Sequence, residues 1–230
     1  MPPPPALVLY DFNGVIADDE PAHMRLSQEV LGAEGVPVTD AEYHDVYLGY
    51  DDRGCFVEAF RRAGKPLSED HLNALIARKA ALYATYIAEH LILFPGAVES
   101  VRANAAAHPL AVVSGALRAE VAHVLKAAGI EDRFRFVVAS EDTERCKPDP
   151  EGYEIALARW NALAPAGEAL SPERCVVIED SIAGVAAAKA AGMRCVAVTH
   201  TYRPDELSQA DRVIGHMADF TPALVAELAG

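Results

Sequence analysis

The sequence has few cysteines, few basic residues and no long apolar run, and each shortage excludes a class of protein. Its 230 residues include four cysteines without a C-x-x-C pair, which fits neither a zinc site nor a disulfide framework. We therefore expect reduced thiols and a cytoplasmic location. Every apolar stretch falls short of the roughly 20 residues that span a bilayer, which argues against a membrane protein. The cysteines are Cys55, Cys146, Cys175 and Cys195.

The charge balance is strongly acidic, with 20 lysines and arginines against 34 aspartates and glutamates and a net charge of −14. Such a chain lacks the basic surface that holds nucleic acid or an anionic membrane, so neither is expected as a partner. The N-terminus carries no basic residue before its short apolar run, so we expect no secretion signal. An anionic substrate has to be neutralised by a few cations placed at the site itself. The oligomeric state follows from none of these features.

Five short apolar runs, each followed by a helical pattern, predict the buried parallel strands of an α/β protein. The runs lie at residues 7–10, 110–113, 136–139, 175–178 and 195–198. Helices predicted at 118–128 and 182–191 end at Gly129 and Gly192, where a glycine readily closes a helix. The chemistry of such a sheet collects at one edge, because the carboxyl ends of parallel strands lie together.

Residues 18–94 interrupt this alternation with helical patterns and no convincing strand. They predict an α-helical cap inserted into a core formed by residues 1–17 and 95–230. Helices of the cap are predicted at 22–31, 41–47, 53–63 and 69–89, the last with Ser68 as its N-cap. Two segments have a biased composition: the proline run at 2–5, predicted to be an extended lead-in, and an Ala/Gly-rich loop near 161–169.

Polar residues follow the first two predicted strands. The first strand delivers Asp11 into the sequence DFNGVI at 11–16, where a carboxylate can act as a nucleophile or a metal ligand. Taken alone, Asp11 could equally belong to a turn. The second strand ends at Ser114 and Gly115, whose hydroxyl and backbone N–H groups could hold a phosphoryl oxygen near the start of a helix. In isolation this pattern is more often a plain turn.

A lysine and an acidic pair complete the set of motifs. Lys147 lies in the sequence CKPDP at 146–150, where the prolines restrict the backbone around a point charge. Glu179 and Asp180 end the fourth apolar run in the sequence EDSIAG at 179–184. Two adjacent carboxylates raise each other's pKa unless a cation neutralises them, and Mg²⁺ suits such ligands. Taken alone, Lys147 could be solvated and Asp180 could cap a helix.

Together and in this order, the four motifs resemble those of the haloacid-dehalogenase-like (HAD) superfamily, specifically its members with a helical cap inserted after the first strand. The resemblance covers nearly the whole chain. It implies a Rossmann-like core, Mg²⁺ as cofactor and phosphoryl transfer through an aspartyl-phosphate on Asp11. It also implies the site residues. The metal ligands are Asp11, the main-chain carbonyl of Asn13, Glu179 and Asp180, and the phosphoryl group is bound by Ser114, Gly115 and Lys147.

Asn13 departs from the family pattern, because phosphatases and mutases of the family carry a second aspartate there as general acid and base. An amide cannot carry that proton, so impaired turnover with an intact metal site is predicted. Three explanations stay open: a substitution that traps a bound state, a natural member with weak or altered activity, or a phosphate-ligand binder without turnover. The first two are favoured, since the other motif residues are present. Dehalogenases of the family also lack that aspartate, but they use no metal, which would leave Glu179 and Asp180 unneutralised.

The resemblance further implies that His23, Arg53 and Lys79 of the cap contact the substrate, although each alone would be interpreted as an ordinary helix residue. The expected partner is a small phosphorylated metabolite such as a sugar phosphate, and the expected activity is that of a phosphatase, a phosphoric monoester hydrolase. The alternative is a β-phosphoglucomutase-type isomerase. It is less favoured because the mutase has threonine where this chain has Asp19.

Overall fold

Six parallel strands form one sheet in this computed structural model, which describes residues 6–164 and 169–230. The strands are β1 (Leu7–Tyr10), β2 (Leu110–Val113), β3 (Phe134–Val138), β4 (Cys175–Glu179), β5 (Arg194–Val198) and β6 (Arg212–Ile214). Their order across the sheet is β3-β2-β1-β4-β5-β6. The predicted α/β fold with a parallel sheet is therefore confirmed. The predicted proline lead-in at 2–5 and part of the predicted loop at 161–169 lie outside the described residues.

The strand order places the polar strand ends side by side. β2 and β3 lie on one side of β1, whereas β4, β5 and β6 lie on the other. Tyr10 pairs with Val112 of β2 and with Ile178 of β4, so the residues that follow these strands reach the same edge at nearly the same level. A sheet whose strand order reverses in this way has a crevice at the carboxyl ends of the strands.

The chain divides into two compact units. The first consists of the residues up to Asp18 together with those from Leu93 onward, and the second consists of Asp19–Ile92. The second unit is helical. Its helices are α1 (Glu20–Ala33), α2 (Asp40–Glu42), α3 (Asp52–Arg62) and α4 (Glu69–His90). Ser68 caps α4 as expected, because its hydroxyl accepts a hydrogen bond from the backbone N–H of His71 at 3.2 Å. The core and cap boundaries expected from the sequence, at 17/18 and 94/95, stay a prediction.

One predicted helix of this unit differs from the expectation. An α-helix was expected over 41–47, but α2 ends at Glu42 and a π-helical turn follows at Tyr43–Tyr47. The backbone N–H of Leu48 donates to the carbonyl of Tyr43 at 2.9 Å, which closes the wider turn. Tyr43 and Tyr47 are both buried in the apolar core of the unit. The wider turn is the geometry in which both rings are packed there.

The first unit carries the remaining helices around the sheet. They are α5 (Ala97–Ala105), α6 (Arg118–Ala127), α7 (Glu151–Leu163), α8 (Ile182–Ala190) and α9 (Pro222–Ala229). Short 3₁₀ turns occupy Glu131–Arg133, Ser140–Asp142, Pro172–Arg174 and Met217–Asp219. The residues of β1 are fully buried, as expected for a parallel strand covered on both faces. Among residues 6–164 and 169–230, no helix combines the length and the apolar composition that crossing a bilayer requires.

Candidate active site

The loop after β1 holds Asp11 at the edge of the sheet and turns sharply beyond it. The N–H of Gly14 donates to the carbonyl of Ala17 at 2.9 Å, and the N–H of Ala17 donates to the carbonyl of Phe12 at 3.0 Å. Gly14 has a φ of +78°, and a Cβ at this position would lie 2.0 Å from Oδ2 of Asp180. Only glycine therefore allows the loop to pass the Asp180 carboxylate this closely.

Lys147 lies between two carboxylates that are far from it in sequence. Its Nζ is 2.6 Å from Oδ1 of Asp11 and 2.5 Å from Oε1 of Glu179, and it donates to the carbonyl of Val113 at 3.3 Å. Burial lowers the pKa of Lys147, but the charges of Asp11 and Glu179 outweigh burial and raise that pKa above its ordinary value. The lysine is therefore a fixed positive charge at the site.

Glu179 has hydrogen-bond partners on both of its carboxylate oxygens. Oε1 accepts from the Tyr153 hydroxyl at 2.7 Å as well as from Lys147, and Oε2 accepts from the Ser181 hydroxyl at 3.1 Å. The side chain is fully buried, and a Cβ on Gly184 would lie 2.0 Å from its carboxyl carbon. Glu179 is therefore held rigidly against the first turn of α8, where it fixes the ammonium of Lys147.

Asp180 completes the acidic group. Its side chain is buried, and its Oδ2 accepts a hydrogen bond from the hydroxyl of Thr201. One oxygen each of Asp11, Glu179 and Asp180 lies within 4.8 Å of the others, the one such group among the described residues. Three carboxylates grouped around one lysine, which contacts Asp11 and Glu179, carry excess negative charge, and carboxylate oxygens are the ligands that Mg²⁺ prefers. The donor set therefore fits a hard divalent cation.

The crowding of these carboxylates perturbs their titration. Burial and the charge of Glu179 raise the pKa of Asp11 to about 7, although Lys147 opposes the shift. Burial and the charges of Asp11 and Glu179 also raise the pKa of Asp180 well above its ordinary value. In the metal-free protein, the acidic group therefore gains protons at a pH where isolated aspartates are ionised.

This shift predicts a pH-dependent stability of the metal-free protein. The pKa of Asp11 in the folded state, about 7, lies above the ordinary value of 3.8, so the stabilisation from its protonation is complete below the ordinary value and is lost as the pH rises through about 7. Between about pH 6 and about pH 8 the free energy of unfolding should fall by about 1 kcal/mol, or roughly 2–4 °C in Tm. Thermal denaturation in EDTA measures it.

The matched control for this experiment is Asp11→Asn, because the amide does not titrate. Its Tm should change less between the two pH values than the Tm of the unmodified chain. Equal changes in the two proteins, or a Tm that rises with pH in the unmodified chain alone, would contradict the perturbed pKa of Asp11.

Ser114 and Gly115 follow β2 at the same edge of the sheet. Ser114 is buried, and its Oγ accepts from the N–H of Ala116 at 3.0 Å, which leaves its O–H as a donor. The first backbone donors of α6 already have carboxylate partners. The N–H of Leu117 donates to Glu120 and that of Arg118 to Glu141. The positive end of α6, near which Ser114 and Gly115 are predicted to hold a phosphoryl oxygen, is therefore partly neutralised.

Within the second unit, two of the three expected substrate residues, Lys79 and His23, contact each other. The Lys79 side chain is 1% exposed, its Nζ lies 2.7 Å from Nδ1 of His23, and it also pairs with Asp52. Burial and the Lys79 charge lower the pKa of His23, but Asp19 and Asp52 outweigh them, so it lies above its ordinary value.

Arg53 is the third of these residues. It is 48% exposed, pairs with Glu69 at 2.6 Å and lies 3.3 Å from Asn73. The substrate roles of His23, Arg53 and Lys79 stay predictions.

Several residues at the site escaped the sequence analysis. Tyr153 belongs to α7 and reaches Glu179 only through the packing of that helix on the sheet, so no local signal marks it. Thr201 and His200 follow β5, and the Nδ1 of His200 lies 2.8 Å from the carbonyl oxygen of Gly14. Their place after a parallel strand was a usable signal, since Asp11, Ser114 and Glu179 were found by that rule.

Comparison with known proteins agrees with this geometry. Residues 5–192 match the family model of haloacid dehalogenase-like hydrolases, and the chain belongs to this family. The validoxylamine A 7'-phosphate phosphatase of Streptomyces hygroscopicus subsp. limoneus is 27% identical over 225 residues, 93% of this chain and 94% of that protein. The phosphoglycolate phosphatase of Yersinia pestis is 26% identical over 226 residues, 94% of this chain and 92% of that protein.

Comparison with solved structures finds a similar fold. A mutant of CbbY from Rhodobacter sphaeroides, in complex with xylulose-(1,5)bisphosphate, superposes with a TM-score of 0.81 at 26% identity and covers 94% of this chain and 96% of that one. The family predicted from the four motifs is thus confirmed, and the named phosphatases among the relatives support the prediction of a phosphatase.

Proposed function

We propose that this protein hydrolyses small phosphate monoesters, sugar phosphates above all, by transferring the phosphoryl group to Asp11. The observation that carries the proposal is the position of the Asp11 carboxylate, buried at a strand end with the Lys147 ammonium at 2.6 Å and Asp180 in the same acidic group. A relative named as a validoxylamine A 7'-phosphate phosphatase and a CbbY mutant solved with xylulose-(1,5)bisphosphate support the substrate class.

The residues divide the work of the reaction. A Mg²⁺ ion, held by Asp11, Asp180, the main-chain carbonyl of Asn13 and the carboxylate of Glu179, would neutralise the oxygens of the phosphoryl group. The Asp11 carboxylate attacks phosphorus, and the bond from phosphorus to the leaving oxygen breaks. Lys147 stabilises the charge on the phosphoryl oxygens, and Ser114 and Gly115 donate hydrogen bonds to them.

Water then cleaves the aspartyl-phosphate, which releases inorganic phosphate and restores Asp11. The leaving oxygen must gain a proton in the first step, and the attacking water must lose one in the second. The amide of Asn13 can do neither, so both steps depend on solvent and turnover is slow. Because the Asn13 ligand is a main-chain oxygen, the same side chain leaves the metal site intact.

A phosphate-release screen over hexose 6-phosphates, xylulose-(1,5)bisphosphate and phosphoglycolate, with Mg²⁺ and with EDTA, tests the proposal. We expect release that requires Mg²⁺ and disappears in the Asp11→Asn protein. Release that survives Asp11→Asn would overturn the role of Asp11. Conversion of β-glucose 1-phosphate into the 6-phosphate without release of phosphate would show the mutase instead. An Asn13→Asp protein that binds Mg²⁺ and phosphate but turns over nothing would show a binding protein.

A further inference from the structure

Two adjacent residues after β5 contact the candidate site: His200 contacts the loop after Asp11, and Thr201 contacts the carboxylate of Asp180. The hydroxyl of Thr201 donates to Oδ2 of Asp180. The Nδ1 of His200 lies 2.8 Å from the carbonyl oxygen of Gly14, and its ring stacks on Phe94 with centroids 3.7 Å apart and planes at 10°. A carbonyl only accepts, so Nδ1 of His200 carries the proton of this bond. Neither His200 nor Thr201 belongs to the four sequence motifs.

The contact of His200 restrains the loop that follows Asp11. The peptide unit between Asn13 and Gly14 contains the Asn13 carbonyl and the Gly14 N–H, which point in opposite directions because the unit is planar and trans. The Gly14 N–H donates to Ala17 at 2.9 Å, which fixes the direction of the Asn13 carbonyl. His200 fixes the next peptide through the Gly14 carbonyl. Two successive peptides of the loop are thereby held in place.

The contact of Thr201 restrains Asp180. An aspartate carboxylate rotates easily about its last side-chain bond. In this site the hydrogen bond from Thr201 and the close approach of Gly14 both act on the same oxygen, Oδ2. The rotation of the carboxylate is therefore set before any ion binds. Groups of this kind, which orient the direct ligands of a metal, commonly change metal affinity by about 10–100-fold when they are removed.

We infer that Thr201 and His200 are positioning residues for the divalent cation: Thr201 orients the Asp180 carboxylate, and His200 orients the loop that presents Asp11 and the Asn13 carbonyl. The inference rests on the proposed function, because it takes Asp180, Asp11 and the Asn13 carbonyl as ligands. It adds two residues that act through the ligands and contact neither the ion nor the phosphoryl group.

The test is the affinity for Mg²⁺ alone, measured by isothermal titration calorimetry without any phosphate ester. Thr201→Val removes the hydroxyl at nearly constant shape and should weaken Mg²⁺ binding by about tenfold or more. Thr201→Ser retains the hydroxyl and should bind within about twofold of the unmodified chain. For His200, Asn keeps an N–H donor at the same distance from the backbone, whereas Leu removes it. We expect tighter Mg²⁺ binding by His200→Asn than by His200→Leu.

The unfolding temperature of each metal-free variant separates positioning from loss of fold. Equal Mg²⁺ affinity in the Val and Ser variants of Thr201, both folded, would overturn the inference. If Asp180→Asn still abolished Mg²⁺ binding in that case, the proposed function would stand without it. An unmodified chain that binds no Mg²⁺ would instead contradict the proposed function itself. If Thr201→Val does not fold, the Asn and Leu variants of His200 decide the question by the same comparison.

Discussion

Replacing Asn13 with aspartate is expected to raise the rate of phosphate release at least about tenfold in the presence of Mg²⁺. General acid–base catalysis typically contributes about 10²–10⁴-fold, so the increase can reach that range. The new carboxyl group can protonate the leaving oxygen and then accept a proton from the attacking water. Asn13 is half-buried and lies two residues after Asp11 in the same loop, so the aspartate enters at the right distance along the chain. The two side chains have almost the same shape. The steady-state rate with the best substrate of the screen measures the effect.

Asn13→Ala is the matched control for this prediction. It keeps the main-chain carbonyl and removes the amide, so it should remain as slow as the unmodified chain. If alanine accelerated the reaction as much as aspartate, the amide would be an obstruction and no general acid or base would be missing. A rate unchanged in Asn13→Asp would contradict the account of Asn13 altogether.

The choice of leaving group provides a second test of whether Asn13→Asp acts by supplying a general acid. A nitrophenolate needs little protonation as it departs, whereas the alkoxide of a sugar needs a full proton. The first phosphoryl transfer from p-nitrophenyl phosphate should therefore gain less from Asn13→Asp than the transfer from a sugar phosphate. A rapid-quench measurement of the first turnover separates this step from the later hydrolysis. No gain in this first transfer with either substrate would place the missing proton transfer in the second step alone, whereas equal, large gains with both would contradict protonation of the leaving oxygen by the new carboxyl group.

The largest effect on stability is expected for Lys147→Met. Lys147 contacts Asp11 at 2.6 Å and the fully buried Glu179 at 2.5 Å, and removing it leaves buried carboxylates without their cation. Breaking a buried ion pair from one side destabilises a protein by about 3–5 kcal/mol. We expect a loss of this order at about pH 8, above the pKa of about 7 of Asp11, where the carboxylate of Asp11 is mostly ionised. Denaturant unfolding of the metal-free protein measures it.

Lys126→Met serves as the control, since Lys126 is exposed on α6 and its replacement should change the free energy of unfolding by less than about 0.5 kcal/mol. Lys147→Met should also lose about 10²–10³-fold in turnover, because a fixed charge at the phosphoryl oxygens is gone. Added Mg²⁺ should recover part of the lost stability and little of the lost turnover. A Lys147→Met protein as stable as the control would mean that the carboxylates are not neutralised by Lys147.

The site residues that lie at the ends of strands could be predicted from the sequence. Asp11, Ser114 and Glu179 each end or follow an apolar run, and the parallel order of β1, β2 and β4 brings them to one edge. Lys147 could be included only through its motif, since nothing in its own loop shows that it reaches Asp11. β6 was not predicted because it has only three residues, none of them buried, and no continuous apolar run.

Other features of the candidate site could not be predicted from the sequence, because they depend on how distant parts of the chain pack together. The sequence treats Glu179 and Asp180 as an equivalent pair, but packing gives Glu179 partners on both oxygens from Lys147, Tyr153 and Ser181, whereas Asp180 lies against the Gly14 loop. Charged residues on helices look alike in sequence. Arg53 is half exposed and Lys79 is buried beside His23 because α1, α3 and α4 pack around the lysine, which is a long-range property.

The most direct test of the central claim is the site of covalent phosphorylation. With Asn13 in place, hydrolysis of the aspartyl-phosphate is slow, so the phosphorylated protein should accumulate during incubation with Mg²⁺ and acetyl phosphate, whose leaving group needs little protonation. After acid quench, peptide mass spectrometry should find one phosphoryl group on Asp11, and none in the Asp11→Asn protein. A phosphoryl group on another residue, or steady release of phosphate without any phosphorylated Asp11, would contradict the account.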